Sequence, residues 1–121
     1  PDLISIYGAT GGRIDHLLAN LFCLLRPEFL NMISKVEFID KNNVIRFYNP
    51  GEHEIKQIEG MRYLAFVSMG PVDDLNLYDE KYRLRHADFS RVISLASNEF
   101  VSETAHFSFK NGNVCVIWSK D

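Results

Sequence analysis

The β-structure of this chain is most evident in Thr104-Ala-His-Phe-Ser-Phe109-Lys-Asn-Gly-Asn-Val114-Cys-Val-Ile-Trp118. Two runs rich in β-branched and aromatic residues, 104–109 and 114–118, flank the polar segment 110–113. An Asn-Gly pair suits the tight primed turns that join two antiparallel strands. We therefore predict a β-hairpin over residues 104–118, with Trp118 in the protein core.

Similar runs recur upstream at short intervals and predict an all-β region. Residues 36–39 and 44–48 are separated by Asp40-Lys-Asn-Asn43 and predict a second hairpin. The other strand candidates are residues 52–58, 63–67, 75–78, 82–84 and 92–95. Many short strands with closely spaced turns are typical of a β-sandwich or a barrel. We assign residues 34–121 to one such domain, with Asp73-Asp74 in a loop after Pro71.

The N-terminal part of the chain has a different pattern and predicts a piece of α/β structure. Residues 3–7 are typical of a buried strand, and apolar residues then recur at the spacing of one helical face. These residues are Ile14, Leu17, Leu18, Leu21, Phe22 and Leu25. Residues 28–33 can form another short helix after Pro27. A lone strand and helix need a sheet to join, so we expect residues 1–33 to be the last part of a longer α/β domain.

Composition and charge limit the classes of protein to which this chain can belong. The hydrophobic and charged fractions, 46% and 24%, are typical of a globular protein. A net charge of -3 with scattered Lys and Arg residues argues against a nucleic-acid partner. No signal peptide or membrane-spanning apolar run is evident, and Cys23 and Cys115 lie in apolar runs, as buried reduced thiols would. We expect a cytoplasmic protein with no membrane partner.

A glycine-rich turn joins the predicted strand to the predicted helix and is the strongest candidate for chemistry. It is Gly8-Ala-Thr-Gly-Gly-Arg-Ile-Asp-His16. The free amides at a helix start favour an anion, and Arg13 adds a guanidinium for phosphate oxygens. Asp15 is suited to Mg²⁺ beside a bound polyphosphate. The spacing matches neither a Walker A loop nor a dinucleotide fingerprint, so a purely structural turn is the open alternative.

The order of short motifs along the chain resembles that of bacterial thiamine pyrophosphokinases. Residues 8–20 are similar to the family's Gly-Gly-Arg-apolar-Asp-His run and to the helix with a later Asn that follows it. Three further segments match in order: Asp40-Lys-Asn-Asn43, Val67-Ser-Met-Gly-Pro71 and Ser97-Asn-Glu99. Residues 107–121 are similar to the family's closing hairpin, so the resemblance covers almost the whole chain.

The resemblance implies an enzyme that transfers pyrophosphate from ATP to the thiamine hydroxyl with Mg²⁺, giving thiamine pyrophosphate and AMP. It implies a Rossmann-like α/β catalytic domain, of which residues 1–33 would be the last part. An antiparallel β-sandwich, residues 34–121, would help to bind thiamine. It also implies a homodimer, with thiamine held between one subunit's catalytic domain and the other's sandwich. A non-catalytic nucleotide- or thiamine-binding and dimerisation module is the alternative.

The resemblance further implies roles for individual residues. Asp15 would be a metal ligand and, together with Arg13, a catalytic residue. The ATP phosphates would be bound by Gly11, Gly12, Arg13 and Asn20. Tyr82 would stack on the thiamine pyrimidine, and Ser97 and Asn98 would hydrogen-bond to its ring nitrogen and amino group.

Two departures from the family pattern qualify these roles. Asp79-Glu-Lys81 stands before Tyr82 where the family has Gly-Leu-Lys. The family's Asp-x-Asp-Ser metal block, which lies upstream, has no counterpart here, so we expect this chain alone to be inactive. The structural alternatives are that Tyr82 is a core aromatic of a strand, and that Ser97 and Asn98 are turn residues bonded to nearby backbone.

Overall fold

A computed structural model describes residues 3–7, 19, 22, 23, 25, 26, 28 and 30–120. Within these residues the chain is mainly β, as predicted, with a short 3₁₀ helix at Leu30–Lys35. The strands are β1 (Ile4–Tyr7), β2 (Val36–Ile39), β3 (Asn43–Tyr48), β4 (Gly51–Lys56), β5 (Tyr63–Ser68), β6 (Val72–Leu77), β7 (Leu84–Phe89), β8 (Ile93–Glu99), β9 (Thr104–Phe109) and β10 (Val114–Ser119).

The strands form two sheets. The larger sheet has six strands in the order β1-β2-β3-β10-β5-β8, and the smaller has four in the order β4-β9-β6-β7. Neighbouring strands are antiparallel except β1 and β2, which are parallel. From β3 onwards the chain changes sheet at every connection except the one between β6 and β7. The strands β7 and β8, next to each other in the chain, are therefore edge strands of different sheets.

A shared apolar core joins the two sheets. The ring of Phe107, in the smaller sheet, lies 5.2 Å from the rings of Tyr48 and of Phe66 in the larger sheet. Trp118 in β10 is 0% exposed, which confirms its predicted place in the core. Its Nε1 donates a hydrogen bond of 3.0 Å to the carbonyl oxygen of Lys56 in β4. Trp118 therefore links the sheets both by burial and by a satisfied polar group.

The hairpin predicted for residues 104–118 is wrong. β9 pairs with β4 and β6, whereas β10 pairs with β3 and β5 in the other sheet. Both strands carry apolar side chains at alternate positions, and these face each other across the core. Lys110 N–H donates to the carbonyl of Asp73 at 2.9 Å, and Asn113 Nδ2 donates to Asn49 Oδ1 at 2.9 Å. The segment between the strands thus carries the chain from one sheet to the other.

Two expectations about strand boundaries are also wrong. Residues 82–84 do not form a strand, because β7 begins only at Leu84. Asp73 and Asp74, expected in a loop, belong to β6. Their strand is irregular: its pairing with β7 shifts in register, and Asp74 has a φ of 55°. The polar, loop-like sequence therefore forms a distorted strand rather than a loop.

The larger sheet extends to the N-terminal part of the chain. The predicted strand is present as β1, with Ile4 beside Val36 of β2, but the expectation that it is buried is wrong, because Tyr7 is 74% exposed and half-buried residues alternate with exposed ones. The face of the sheet away from the core is covered by a second apolar cluster. The helix and the glycine-rich turn predicted in residues 8–25 lie almost wholly outside the described residues. The α/β piece and the domain boundary between residues 33 and 34 stay predictions.

The two cysteines differ in environment. Cys115 is buried, and burial raises the pKa of its thiol to about 12. Cys23 is exposed, so the expectation of two buried thiols is wrong for this residue. A short apolar run cannot indicate which of its members faces solvent unless the neighbouring elements are known.

Gly112 provides a test of the connection between the sheets. It has a φ of 92°, and an added Cβ would lie 2.2 Å from the carbonyl oxygen of Pro71. We expect Gly112→Ala to lower the free energy of unfolding by about 3 kcal/mol, because backbone strain and a steric clash add. Gly60→Ala is the control, since Gly60 has a φ of 83° and open space around it. That change should cost about 1 kcal/mol. If urea denaturation showed that Gly112→Ala and Gly60→Ala lose the same free energy of unfolding, the steric contribution at Gly112 would be contradicted.

Candidate functional site

A cavity of about 230 Å³ opens between β8 and the segment that leads into β7. Leu77, Leu84 and Leu95 form apolar walls, and Tyr82 and Asn98 contribute polar groups. The cavity lies at the edge strands of both sheets, and it contains two of the three residues predicted to bind thiamine. A larger cavity of about 590 Å³ around residues 56–60 and 103–104 contains none of them.

Tyr82 is exposed at the rim of this cavity. Its side chain is 58% exposed, so the alternative of a core aromatic is wrong. The Nζ atom of Lys81 lies 5.5 Å from the centroid of the Tyr82 ring. The Glu99 carboxylate accepts hydrogen bonds of 3.0 Å from Lys81 Nζ and from Arg62 Nε. The bond to Glu99 raises the pKa of Lys81, and the bonds from Arg62 and Lys81 lower the pKa of Glu99, so this cluster is charged at neutral pH.

Asn98 is buried and bonded to the backbone of Tyr82. Its Oδ1 accepts the N–H of Tyr82 at 2.9 Å and the N–H of Glu99 at 3.0 Å. Its Nδ2 donates to the carbonyl oxygen of Tyr82 at 2.9 Å. Both acceptor positions of the amide oxygen are thus occupied, and one N–H remains for another partner. The structure brings Asn98 and Tyr82 together, while a direct bond from Asn98 to thiamine stays a prediction.

Ser97 lies on a β-bulge of β8. The pairing of β5 with β8 shifts between Leu64 and Phe66, and Ser97 has a φ of 63°. Bulges re-aim side chains, and a non-glycine residue in this conformation is often found at a functional site. Ser97 is exposed and lines a second cavity of about 400 Å³. Ala96 lines both cavities, so Ser97 and Tyr82 lie on adjoining ones.

Glu80 is a buried residue that holds the segment before Tyr82 in place. It is 0% exposed and forms a β-bridge with Phe100. Its Oε1 accepts the N–H of Asp79 at 3.0 Å, whereas its Oε2 has no hydrogen-bond partner among the described residues. Burial disfavours the charged carboxylate and raises the pKa of Glu80 to about 7. Sequence reasoning gave no role to Glu80 or to Glu99, although both belong to motifs that it singled out.

The residues predicted to bind ATP, Gly11, Gly12, Arg13 and Asn20, lie outside the described residues. The predicted metal ligand and catalytic residue Asp15 lies outside them as well. In the part of the chain that the structure describes, no group of three or more His, Cys, Asp or Glu side chains could hold a metal ion. Asp74 instead pairs with His86 at 2.6 Å, and this bond lowers the pKa of its carboxyl group. Among the described residues, no helix is long and apolar enough to cross a membrane.

Comparison with known proteins identifies relatives of this chain. A family model for the thiamin pyrophosphokinase vitamin B1 binding domain matches residues 52–114. Thiamine pyrophosphokinase of Bacillus subtilis is 37% identical over 123 residues, covering 100% of this chain and 56% of the relative. The crystal structure of a thiamin pyrophosphokinase family protein from Enterococcus faecalis is 44% identical with a TM-score of 0.91, covering 97% of this chain and 55% of that one.

A crystal structure of a protein from Lactobacillus plantarum is also similar. It is 49% identical with a TM-score of 0.94, and the match covers 100% of this chain and 59% of that one. The B. subtilis, E. faecalis and L. plantarum proteins are therefore all longer than this chain. The chain spans 56% of the length of the curated relative it matches.

The buried Glu80 carboxyl predicts a dependence of stability on pH. Its pKa is about 7 in the folded protein and near 4.5 when unfolded, so the folded state binds the proton more tightly. The stability that Glu80 contributes is full below pH 4.5 and is lost as pH rises through 7. We expect Glu80→Gln to gain roughly 1–3 kcal/mol relative to the parent protein between about pH 5 and 8.

Chemical denaturation at several pH values measures this difference. The control is Glu59→Gln, because Glu59 is exposed, and its profile should follow that of the parent protein. A Glu80→Gln profile parallel to the parent profile would show that the folded protein does not retain this proton.

Proposed function

Because the chain belongs to the thiamin pyrophosphokinase family, we propose that it is part of an enzyme that transfers pyrophosphate from ATP to the thiamine hydroxyl. The products would be thiamine pyrophosphate and AMP. The observation that carries the proposal is the exposed Tyr82 ring at the rim of an apolar cavity, with Ser97 on the adjoining bulge. A flat aromatic ring and a hydroxyl group are suited to a small aromatic heterocycle.

The charges around Tyr82 favour the pyrimidine end of thiamine. Thiamine carries a neutral aminopyrimidine ring and a cationic thiazolium ring. The ammonium group of Lys81, 5.5 Å from the ring centroid of Tyr82, would repel a second cation stacked there. The neutral pyrimidine can stack on Tyr82, and the Ser97 hydroxyl can bond to a ring nitrogen. We therefore assign the pyrimidine to this end of the site and the hydroxyl-bearing thiazolium to the ATP end.

The ATP end of the site is assigned to residues 8–20. In this proposal the amides of Gly11 and Gly12, with Arg13 and Asn20, hold the phosphates, and Asp15 binds Mg²⁺. The support is the match of this run to the family's signature. Pyrophosphoryl transfer depends on aligning the thiamine hydroxyl with the β-phosphorus, and these residues would orient the phosphates for it. When bound, Mg²⁺ would neutralise charge on the phosphate oxygens.

The assembly proposed for the enzyme follows the same family. Residues 1–33 would complete a Rossmann-like α/β domain, and residues 34–121 would form a β-sandwich. We propose a cytoplasmic homodimer with thiamine between the sandwich of one subunit and the catalytic domain of the other. The open position of Tyr82 at the edge of both sheets supports this, because a second subunit could approach it there. The segment of the relatives that this chain does not cover would be needed for activity.

Production of AMP from ATP and thiamine tests the proposal. We expect the full-length protein that carries this chain to release AMP only when thiamine is present, and the 121-residue chain alone to release none. Thiamine binding with no AMP release by the full-length protein would instead favour a non-catalytic binding module.

Tyr82 is expected to contribute to thiamine affinity by stacking. Tyr82→Ala should raise the KM for thiamine about tenfold, because a ring stack is lost, and should leave the KM for ATP unchanged. Tyr82→Phe keeps the ring and should stay within twofold of the parent protein. Val101→Ala is the surface control, since Val101 is also exposed and lines neither cavity. An unchanged thiamine KM in Tyr82→Ala would refute the assigned site.

Two substitutions at Ser97 separate its hydroxyl from its backbone conformation. Ser97→Ala removes the hydroxyl and keeps the strain at φ 63°, whereas Ser97→Gly removes both. If the hydroxyl bonds to thiamine, both variants should raise the thiamine KM about fivefold. Steady-state kinetics at saturating ATP provides the comparison. A normal KM in Ser97→Gly would show that the Ser97 hydroxyl does not bind thiamine.

A further inference from the structure

The Asn98 side chain hydrogen-bonds to both backbone groups of Tyr82, as a neighbouring β-strand would. Its amide oxygen accepts the backbone N–H of Tyr82 at 2.9 Å, and its amide nitrogen donates to the carbonyl oxygen of Tyr82, also at 2.9 Å. The same oxygen accepts the N–H of Glu99 at 3.0 Å. Two opposed bonds to one residue fix both its position and the orientation of its peptide groups. The exposed Tyr82 ring therefore stands on a backbone that a buried side chain holds.

Neighbouring contacts fix the rest of the segment to the same strand end. Lys81 N–H donates to the carbonyl oxygen of Glu99 at 3.0 Å, and Lys81 Nζ donates to the Glu99 carboxylate at 3.0 Å. Glu80 and Phe100 form a β-bridge. Residues 80–82 are therefore docked along residues 98–100, although they belong to no strand. This docking also keeps the Lys81 ammonium beside the Tyr82 ring.

The hydrogen-bonding capacity of Asn98 limits what else it can do. An amide oxygen has two acceptor positions, and both are used by backbone N–H groups. The oxygen of Asn98 is therefore unable to accept a further bond from an amino group on a ligand unless the Tyr82 segment is released. Ser97 differs, because its side chain is exposed and lies on the bulge.

We propose that Asn98 is a positioning residue for thiamine recognition, which acts through the backbone of Tyr82, and that Ser97 is the member of the Ser97-Asn-Glu99 triplet that contacts the ligand. This inference rests on the proposed function, in which Tyr82 stacks on thiamine. It replaces a direct bond between Asn98 and the pyrimidine amino group. The triplet thus divides into one residue for the ligand and two residues, Asn98 and Glu99, for the segment that presents the aromatic ring.

A double-mutant cycle in the full-length protein tests the inference. Asn98→Asp keeps the acceptor oxygen but places a second oxygen against the carbonyl of Tyr82, so the segment should loosen. In the parent background we expect the KM for thiamine to rise about tenfold and the KM for ATP to stay within twofold. In the Tyr82→Ala background the same change should shift the thiamine KM by less than about twofold, because no ring is left to position.

Asn76→Asp is a matched structural control. Asn76 is also 3% exposed, and its amide likewise accepts a backbone N–H, from His86 at 2.8 Å, and donates to a carbonyl oxygen, of Asp74 at 2.9 Å. It lines neither of the two cavities at Tyr82 and Ser97. We expect Asn76→Asp to lower the unfolding midpoint comparably and to leave the thiamine KM within twofold of the parent value.

A second variant covers the case in which Asn98→Asp does not fold. Glu99→Ala removes the half-buried carboxylate that holds Lys81 and should raise the thiamine KM about threefold in the parent background and not in the Tyr82→Ala background. Additive effects of Asn98→Asp and Tyr82→Ala would overturn the positioning role while leaving the proposed function intact. An unchanged thiamine KM in Tyr82→Ala alone would overturn both.

Discussion

The two sheets pack against each other through Phe107 and Trp118, and this contact sets the positions of the other strands. Phe107 packs against aromatic rings of the larger sheet, and Trp118 donates its indole N–H to a carbonyl oxygen of the smaller one. The strands that carry them, β9 and β10, follow each other in the chain. They nevertheless lie in different sheets and face each other across the core instead of pairing. Burial of both apolar faces outweighs the local preference of the Asn-Gly segment for a hairpin.

This arrangement also explains where the candidate site lies. Because the chain changes sheet after β7, the consecutive strands β7 and β8 are edges of different sheets. An edge strand leaves backbone groups without strand partners, and here residues 80–82 dock against the end of β8 through side chains as well as backbone. The aromatic ring of Tyr82 is thereby exposed on a segment that is not itself regular structure. A loop residue positioned by a rigid scaffold is a common arrangement for ligand recognition.

Buried polar groups hold this edge together, and they differ in how well they are satisfied. Asn98 has partners for its amide oxygen and for its amide nitrogen, and so fixes the orientation of the Tyr82 backbone as well as stabilising it. Glu80 has one carboxyl oxygen without a partner among the described residues, and its burial favours the protonated form. Two residues before Tyr82, whose backbone bonds to Asn98, the same segment therefore contains a buried carboxyl group that is costly to keep charged.

The sequence predicted the β-rich character, most strand positions, the core place of Trp118 and the family, because alternation and motif order are local properties. It also identified Tyr82, Ser97 and Asn98 as a group. The tertiary structure was needed to show that residues 104–118 form no hairpin, since the choice of sheet depends on burial against distant strands. It likewise decided that the Asn98 amide bonds to the backbone of Tyr82, because that contact joins residues far apart in the chain and has no local sequence signal.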